Sequence, residues 1–308
     1  MGKAKKPSPV LNSGGVQVTF PGGFGRAAEK FVETIRHVVD LSFPNRVRKK
    51  IIAEAEGESA AMVIRAEGRA KVRDIEARTI ARLRKLEVRR QENIESILRK
   101  AVDELPPPEQ ISERPVNEDW TSRFFQECQD ISDEQMQQIW ARILANEVAR
   151  PGSFSPRTLS VVRDLTKSDA NWFATLCEFI WIVPVTGLVP IIHNYDALHV
   201  AEAELGFGVL THLTSIGLIE FSAGTLYLSP KDVTEIAMSY RGRIHQLKTV
   251  EPARPLPLGH VIFTAVGAEL APISNAQGND EYEKAALDAW STLGWMEELS
   301  LPAGAAAF

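Results

Sequence analysis

The chain has 308 residues, of which 44% are hydrophobic and 24% charged, an ordinary balance for a folded globular protein. It contains no run of eighteen apolar residues, and its charged start lacks the apolar block of a secretory signal. We therefore expect a cytoplasmic protein without a transmembrane helix. The two cysteines, Cys128 and Cys177, are too few for a disulfide framework, and we expect both to be buried, reduced thiols.

The net charge of −5 is unevenly distributed along the chain. Residues 1–105 carry 22 Lys and Arg against 14 Asp and Glu, a net charge of +8, so the rest of the chain carries −13. Opposite charges on the two parts would draw copies together head to tail, or would present the basic part to an anionic surface. The need of a long solvated helix for charged side chains explains the same distribution equally well.

Residues 1–15 are poor in apolar groups and are predicted to form a disordered tail. Residues 16–44 are predicted to hold a short strand and then an amphipathic helix from Arg26 to about Leu41. The polar face of this helix mixes acidic with basic residues, whereas helices that lie on membranes favour an excess of Lys and Arg. Packing against protein is therefore the preferred prediction, and contact of residues 24–43 with a membrane surface is the alternative.

Residues 45–105 predict one long, coiled-coil-like helix whose apolar residues recur every eleven positions. Eleven residues make three turns, so the apolar stripe stays nearly straight or coils gently to the right. A long apolar stripe on a solvated helix needs a cover, which is usually another copy of the same helix. The predicted oligomerisation residues are Ala61, Ile64, Val72, Ile75, Leu83, Leu86, Ile94 and Ile97.

Residues 55–58 and 66–69 both begin with Ala-Glu-Gly and follow the same eleven-residue spacing. This repeat resembles the straight helical stalks of stomatin- and flotillin-like scaffold proteins. The resemblance covers only about forty residues of the long helix, and it implies a wall built from many copies.

A run of three prolines predicts the end of the long helix, and residues 106–116 are predicted to be a proline-rich linker between domains. Residues 117–183 then predict a helical bundle. Asp119, Ser132 and Ser168 are the predicted N-caps of three of its helices, because their side chains can accept hydrogen bonds from the first free amides.

Several short segments of the bundle are rich in aromatic and small residues: Asp119-Trp120, Phe124-Phe125, Ile131-Ser132-Asp133-Glu134, Trp140-Ala141, Ile143-Leu144-Ala145 and Pro151-Gly152-Ser153-Phe154-Ser155. These segments resemble the core signature of a bacterial family known as domain of unknown function 2806, and the resemblance extends from residue 16 to the end. A looser similarity connects the chain to the abortive-infection alpha family, which implies a role in antiviral defence against phage. Neither resemblance brings catalytic residues with it.

Residues 184–300 predict a winged-helix-like unit, and residues 301–308 a tail. The predicted elements are a helix over 207–216, a hairpin over 217–228 that turns at Ser222-Ala223-Gly224, a strand over 259–264 and a helix over 280–295. Winged helices commonly place one helix in the major groove of DNA. Here that helix contains no Lys or Arg, although phosphate contacts supply most non-specific affinity for DNA. Contact with another protein is therefore preferred over nucleic acid.

The sequence contains no motif for catalysis, for a metal or for a cofactor. Its six histidines lack the spacing of zinc ligands, and it has neither a phosphate loop ending in Lys-Ser/Thr nor a Gly-x-Ser-x-Gly nucleophile elbow. A site assembled from residues that are distant in sequence would escape this test. We predict a protein that is not an enzyme and needs no cofactor.

The predicted fold class is mainly α with a small α+β part: a long N-terminal coiled-coil-like helix, a central helical bundle and a C-terminal winged-helix-like unit. The predicted function is that of a non-enzymatic bacterial protein that assembles into a homo-oligomer and acts in phage defence. Its C-terminal half would sense or bind another protein. The alternatives are a winged-helix DNA-binding regulator and a peripheral membrane scaffold.

Overall fold

The computed structural model describes residues 10–13, 16–20, 25–41, 64–197, 200, 203–228, 234–251 and 254–301. The predictions for residues 1–9, 42–63 and 302–308 lie outside these residues. The chain divides into two compact units, Met1–Leu159 and Ser160–Phe308. Helices combine with antiparallel sheets, so the protein is of the α+β class.

The first unit begins with a small hairpin and a helix. Strand β1 (Val10–Ser13) pairs antiparallel with β2 (Val16–Thr19), so part of the predicted disordered tail is a strand. Helix α1 (Gly25–Leu41) follows as predicted. Its apolar face is buried by the hairpin and the bundle, at Ala27, Ala28, Phe31, Val32 and Ile35. These side chains are covered by protein in this structure.

Three further helices complete the core of the first unit: α2 (Ile64–Asp103), α3 (Glu118–Cys128) and α4 (Glu134–Ala149). The C-terminal part of α2 packs against α4. Aromatic side chains fill the space between α3 and α4, and Phe124 lies 5.3 Å from both Trp120 and Trp140, measured between ring centroids. These ring contacts form an aromatic core between the two helices.

The N-caps differ from the prediction by one or two residues. Asn117 caps α3 by accepting a hydrogen bond from Trp120 N (3.0 Å), and Asp133 caps α4 by accepting from the amides of Gln135 and Met136. The start of each helix is set by the side chain that reaches a free amide of the first turn from an extended backbone, and several neighbouring residues qualify by type alone.

The proline-rich segment belongs to the first unit. Residues 108–110 form a turn of 3-10 helix, and Ser112 N donates a hydrogen bond to Ala149 O (2.8 Å). The division between the units falls instead within α5 (Pro156–Asp164). Proline ends a helix because it lacks the amide proton, but it does not prevent the following chain from packing.

The second unit contains a five-stranded antiparallel sheet. Its strands are β3 (Ile180–Val183), β4 (Gly187–Pro190), β6 (Glu235–Tyr240), β7 (Arg243–Lys248) and β9 (Met296–Leu301). Across the sheet they lie in the order β4-β3-β6-β7-β9. Arg241 and Gly242 join β6 to β7 with φ of 47° and 81°, the left-handed pair that suits a two-residue hairpin. The sequence prediction lacked this sheet and assigned residues 117–183 to the helical bundle, although Ile180–Val183 form β3.

A second sheet pairs β5 (Ile219–Leu228) with β8 (Leu256–Phe263). The predicted hairpin over 217–228 is therefore wrong, because these residues run on as one strand. A register shift between Phe221 and Leu226 accommodates the residues that were expected to turn. At the other strand, Gly259 has φ of 87°, and a Cβ there would lie 2.3 Å from Ile192 O, so only glycine fits.

Further helices of the second unit are α6 (Lys167–Leu176), α7 (Phe207–Ser215), α8 (Ala265–Leu270) and α9 (Asp280–Thr292). Thr166, not Ser168, caps α6 in a capping box with Asp169. Cys128 in the first unit and Cys177 in the second are buried, free thiols, as predicted. Burial raises the pKa of both thiols, that of Cys177 to about 12.

Candidate functional site

The predicted oligomerisation residues follow one stripe of α2, and the structure divides that stripe in two. Val72, Ile75 and Leu83 are 53%, 55% and 48% exposed, and Leu86 is partly exposed. Ile94 and Ile97 are buried, with 5% and 0% exposure. We call Val72, Ile75, Leu83 and Leu86 the exposed seam. Ala61 lies outside the described residues, and Ile64 lies in the helix without a described side chain.

The burial of Ile94 and Ile97 corrects their predicted role. Both belong to the end of α2 that packs inside the first unit, so their own chain already covers them. The exposed seam is the same stripe, since eleven residues return to nearly the same side of the helix about 16 Å further along. The bundle that covers Ile94 and Ile97 therefore ends before Leu86. From there toward the N-terminus, no described residue covers the stripe.

A charged clamp marks the point where α2 leaves the bundle. Arg90 lies in the stripe itself, and its Nε and Nη2 donate to the two carboxylate oxygens of Asp130 at 2.9 and 2.8 Å. Arg89 adds a contact of 3.3 Å to Asp130, and Arg90 Nη1 donates to Glu87 (3.0 Å). The hydrogen bond from Arg90 is the main cause that lowers the pKa of Asp130. A bidentate pair of this kind fixes geometry as well as charge.

Polar side chains join α2 to α4 and to the residues just after α3, next to this clamp. Asn93 Nδ2 donates to Gln129 O (2.9 Å), and Gln137 Nε2 donates to Ile131 O (3.0 Å). The side-chain oxygen of Gln137 accepts from Ser96 Oγ (2.7 Å) and from Lys100 Nζ (2.8 Å). The sequence prediction missed this network, although polar residues at apolar positions of both helices are its signal.

Comparison with known proteins bears on this region directly. A family model described as protein of unknown function (DUF2806) matches residues 77–287, well over half of the chain. The chain belongs to the DUF2806 family. The resemblance expected from the bundle segments is confirmed over this range, which begins inside α2. No curated protein and no solved structure matches this DUF2806 protein. Its similarity to the abortive-infection alpha family stays a prediction.

The DUF2806 protein also has a groove of about 950 Å³ on the surface of its first unit. Its walls include Trp120, Arg123 and the loop that ends at Phe154. Glu147 is buried beneath this loop and accepts hydrogen bonds from Gly152 N (2.6 Å) and Phe154 N (3.0 Å). Desolvation raises the pKa of Glu147 against the opposing effect of these amides. Because both carboxylate oxygens of Glu147 accept hydrogen bonds from the loop, this side chain holds the loop in place.

Two histidines of the second unit have acidic partners. Both ring nitrogens of buried His245 lie close to carboxylates, Nδ1 2.6 Å from Glu297 and Nε2 2.8 Å from Glu283. His212 Nε2 lies 2.7 Å from Asp169, whose other oxygen belongs to the capping box of α6. Both arrangements join secondary-structure elements.

Two other kinds of site are absent from the part of the chain that the structure describes. Within the parts of the chain that the structure describes, no three His, Cys, Asp or Glu side chains group as metal ligands would. No helix of the same residues is both long and apolar enough to cross a membrane. The exposed seam is therefore the candidate site that the geometry favours.

Proposed function

We propose that this DUF2806 protein assembles with copies of itself through the exposed seam of α2. One observation supports this most strongly: a stripe that a helix of the same chain covers at Ile94 and Ile97 continues, uncovered, through Leu86, Leu83, Ile75 and Val72. Apolar residues that continue at solvated positions for two more repeats indicate a second surface that covers them. A second copy offers a stripe of the same spacing.

The size of the effect follows from the exposure. Burying a whole Leu or Ile side chain contributes about 1.5–3 kcal/mol, so covering the exposed half of Leu83 contributes about 1 kcal/mol. A pair of copies covers two such side chains. Losing both contacts makes association less favourable by about 2 kcal/mol, which raises the dissociation constant roughly 30-fold.

The test compares Leu83→Glu with Val88→Glu by sedimentation over a range of concentrations. Val88 is a matched control, because it is 53% exposed on the same helix and lies on the side opposite the seam. We expect the wild type and Val88→Glu to assemble, and Leu83→Glu to dissociate by at least the factor above. A wild type that stays monomeric at every concentration, or equal effects of both variants, would refute the proposal.

We further propose that assembly serves antiviral defence, with the second unit sensing or binding another protein. The support is the looser resemblance in sequence and the exposed aromatic side chains of that unit, Phe207 at 56% and Tyr227 at 58% exposure. Cells that carry the wild type should plate some phages less efficiently, and Leu83→Glu should abolish this protection where Val88→Glu keeps it. Equal plating across a broad phage panel would remove defence and leave self-assembly standing.

The two alternatives have less support. A DNA-binding regulator would use α7, which carries no Lys or Arg, and the hairpin that should form its wing is absent from residues 219–228. Failure of duplex DNA to bind at low salt would end that alternative. A membrane scaffold would use α1, whose described apolar side chains are buried in protein.

A further inference from the structure

The side chains that flank the exposed seam differ in charge from one side to the other. At 100° per residue, Arg78, Arg82 and Arg89 lie about 60–100° to one side of the seam's centre. Glu76 and Glu87 lie about 60–80° to the other side. All five are exposed. We call the first group the basic flank and the second the acidic flank.

The neighbours of these side chains within the chain leave them able to reach another copy. Arg78 contacts Asp74 (3.0 Å), Arg89 contacts Asp130 and Glu87 contacts Arg90. Such pairs at a solvated surface contribute little and exchange readily. Glu76 and Arg82 have no ion-pair partner among the described residues of the helix or the bundle. Arg73 and Arg84 lie further round the helix, beyond the acidic flank.

We infer that the helices of neighbouring copies run parallel and in register, with the basic flank of one copy against the acidic flank of the next. This inference rests on the proposed self-assembly and adds the orientation and the register. When two helices meet along a stripe in parallel, the left flank of one faces the right flank of the other. When they meet antiparallel, each flank faces its own equivalent.

The charges distinguish these two arrangements. Parallel copies bring Arg82 opposite Glu87 of the neighbour. Arg82 directly precedes the seam residue Leu83, and Glu87 directly follows the seam residue Leu86. Antiparallel copies bring Arg78, Arg82 and Arg89 against the same three arginines, and the two glutamates against each other. Like charges across such an interface destabilise it, and opposite charges at flanking positions select orientation and partner.

The eleven-residue spacing also selects the register. Glu76 and Glu87 are one repeat apart, as are Arg78 and Arg89. A shift by one full repeat would preserve the charge pattern but would place Leu83 and Leu86 of one copy opposite Ile94 and Ile97 of its neighbour, which the neighbour's own bundle already buries. In-register copies cover all four residues of the seam, so burial favours that alignment over the shifted one.

Single cysteines at two positions of the seam test orientation and register together. Val72→Cys and Leu83→Cys are made separately in the full chain, and the wild type is the control for Cys128 and Cys177, which are buried. Under mild oxidation, parallel in-register copies of either variant join through the introduced thiols, like position to like position, as covalent dimers in a denaturing gel. A mixture of the two variants yields few mixed dimers, since the positions lie about 16 Å apart along the helix and a disulfide spans about 4.4–6.8 Å between Cα atoms.

The other outcomes separate the two proposals. Dimers that form mainly in the mixture would mean antiparallel helices or a shift of one repeat, and would overturn the orientation or register while self-assembly stands. Assembled chains that give no covalent dimer in any combination would also overturn it. A wild type that sediments as a monomer would overturn both proposals, and would leave the seam for a different protein or an anionic surface.

Charge reversal gives an independent readout with opposite signs for the two orientations. In parallel copies, Arg82→Glu and Glu87→Arg each raise the dissociation constant by about ten-fold at low salt, and the double variant restores the wild-type value. In antiparallel copies, Arg82→Glu relieves repulsion and strengthens association. High salt should diminish the differences, because the flanks are solvated. Stronger association of Arg82→Glu would therefore contradict the parallel arrangement.

Discussion

Two isoleucines of the same stripe should respond in opposite ways to the same substitution. Ile97 is fully buried against the bundle, whereas Ile75 is 55% exposed two repeats away. Ile97→Ala removes buried methyl and methylene groups and leaves a cavity, which lowers the free energy of unfolding by about 2–5 kcal/mol. Ile75→Ala removes a half-solvated side chain from a helix in which alanine is the better helix former. It should change that free energy by less than about 0.7 kcal/mol, with stabilisation as the expected sign.

The measurement is urea unfolding followed by far-ultraviolet circular dichroism, at a concentration below that of assembly. An unchanged slope against urea shows that the substitution altered stability and not the compactness of either state. Association should respond in the reverse order: Ile75→Ala weakens it, and Ile97→Ala leaves it unchanged wherever the chain remains folded. Equal losses of stability for both variants in dilute solution would mean that Ile75 is covered within the chain, and would refute the division of the stripe.

Three further predictions concern the supports of the fold. Because the pKa of Asp130 is lowered in the folded state, its contribution to stability is complete above the usual value of 3.8 and is lost as pH falls through the lower folded value. Arg90→Gln should flatten this dependence on acid pH, measured by urea unfolding at several pH values. An unaltered pH profile would contradict this prediction. Glu147→Gln replaces an acceptor with a donor facing Gly152 N or Phe154 N and should cost about 1–3 kcal/mol, a loss that a merely solvent-facing carboxylate would not show. Gly259→Ala should lower the free energy of unfolding by about 1–3 kcal/mol or more, because alanine is strained in the left-handed backbone region and its Cβ would contact Ile192 O. Gly208→Ala in helix α7 has open space at its Cβ and should be tolerated, and thermal melts of both variants test this.

Local patterns in the sequence determined the helices of the first unit. The apolar spacing of α1 and α2 depends only on residues within a few turns, so both helices and their apolar faces could be predicted. The aromatic spacing of the bundle did the same for α3 and α4. The N-caps shifted by one or two residues because Asn, Asp, Ser and Thr stand next to one another at these helix starts and are nearly equivalent as caps.

Only the tertiary structure decided which part of the long stripe is covered. The clamp that marks the division joins Arg90 to Asp130, forty residues apart in sequence, and the covering helix begins only after it. Nothing in the eleven-residue repeat differs between Leu83 and Ile94, so the repeat cannot indicate which of them a neighbouring helix reaches.

The sheets of the second unit also depended on distant partners. Strand β7 pairs with β9 about fifty residues later, and β5 pairs with β8 across the whole of β6 and β7. Ile236, Met238 and Tyr240 alternate with smaller or polar residues in β6, and this alternation is a local signal that could have revealed that strand. The pairing itself could not be foreseen, because hydrogen bonds between strands join residues that the sequence does not place together. The sequence therefore determined the faces that need a cover, and the tertiary contacts determined which of those faces the chain covers by itself.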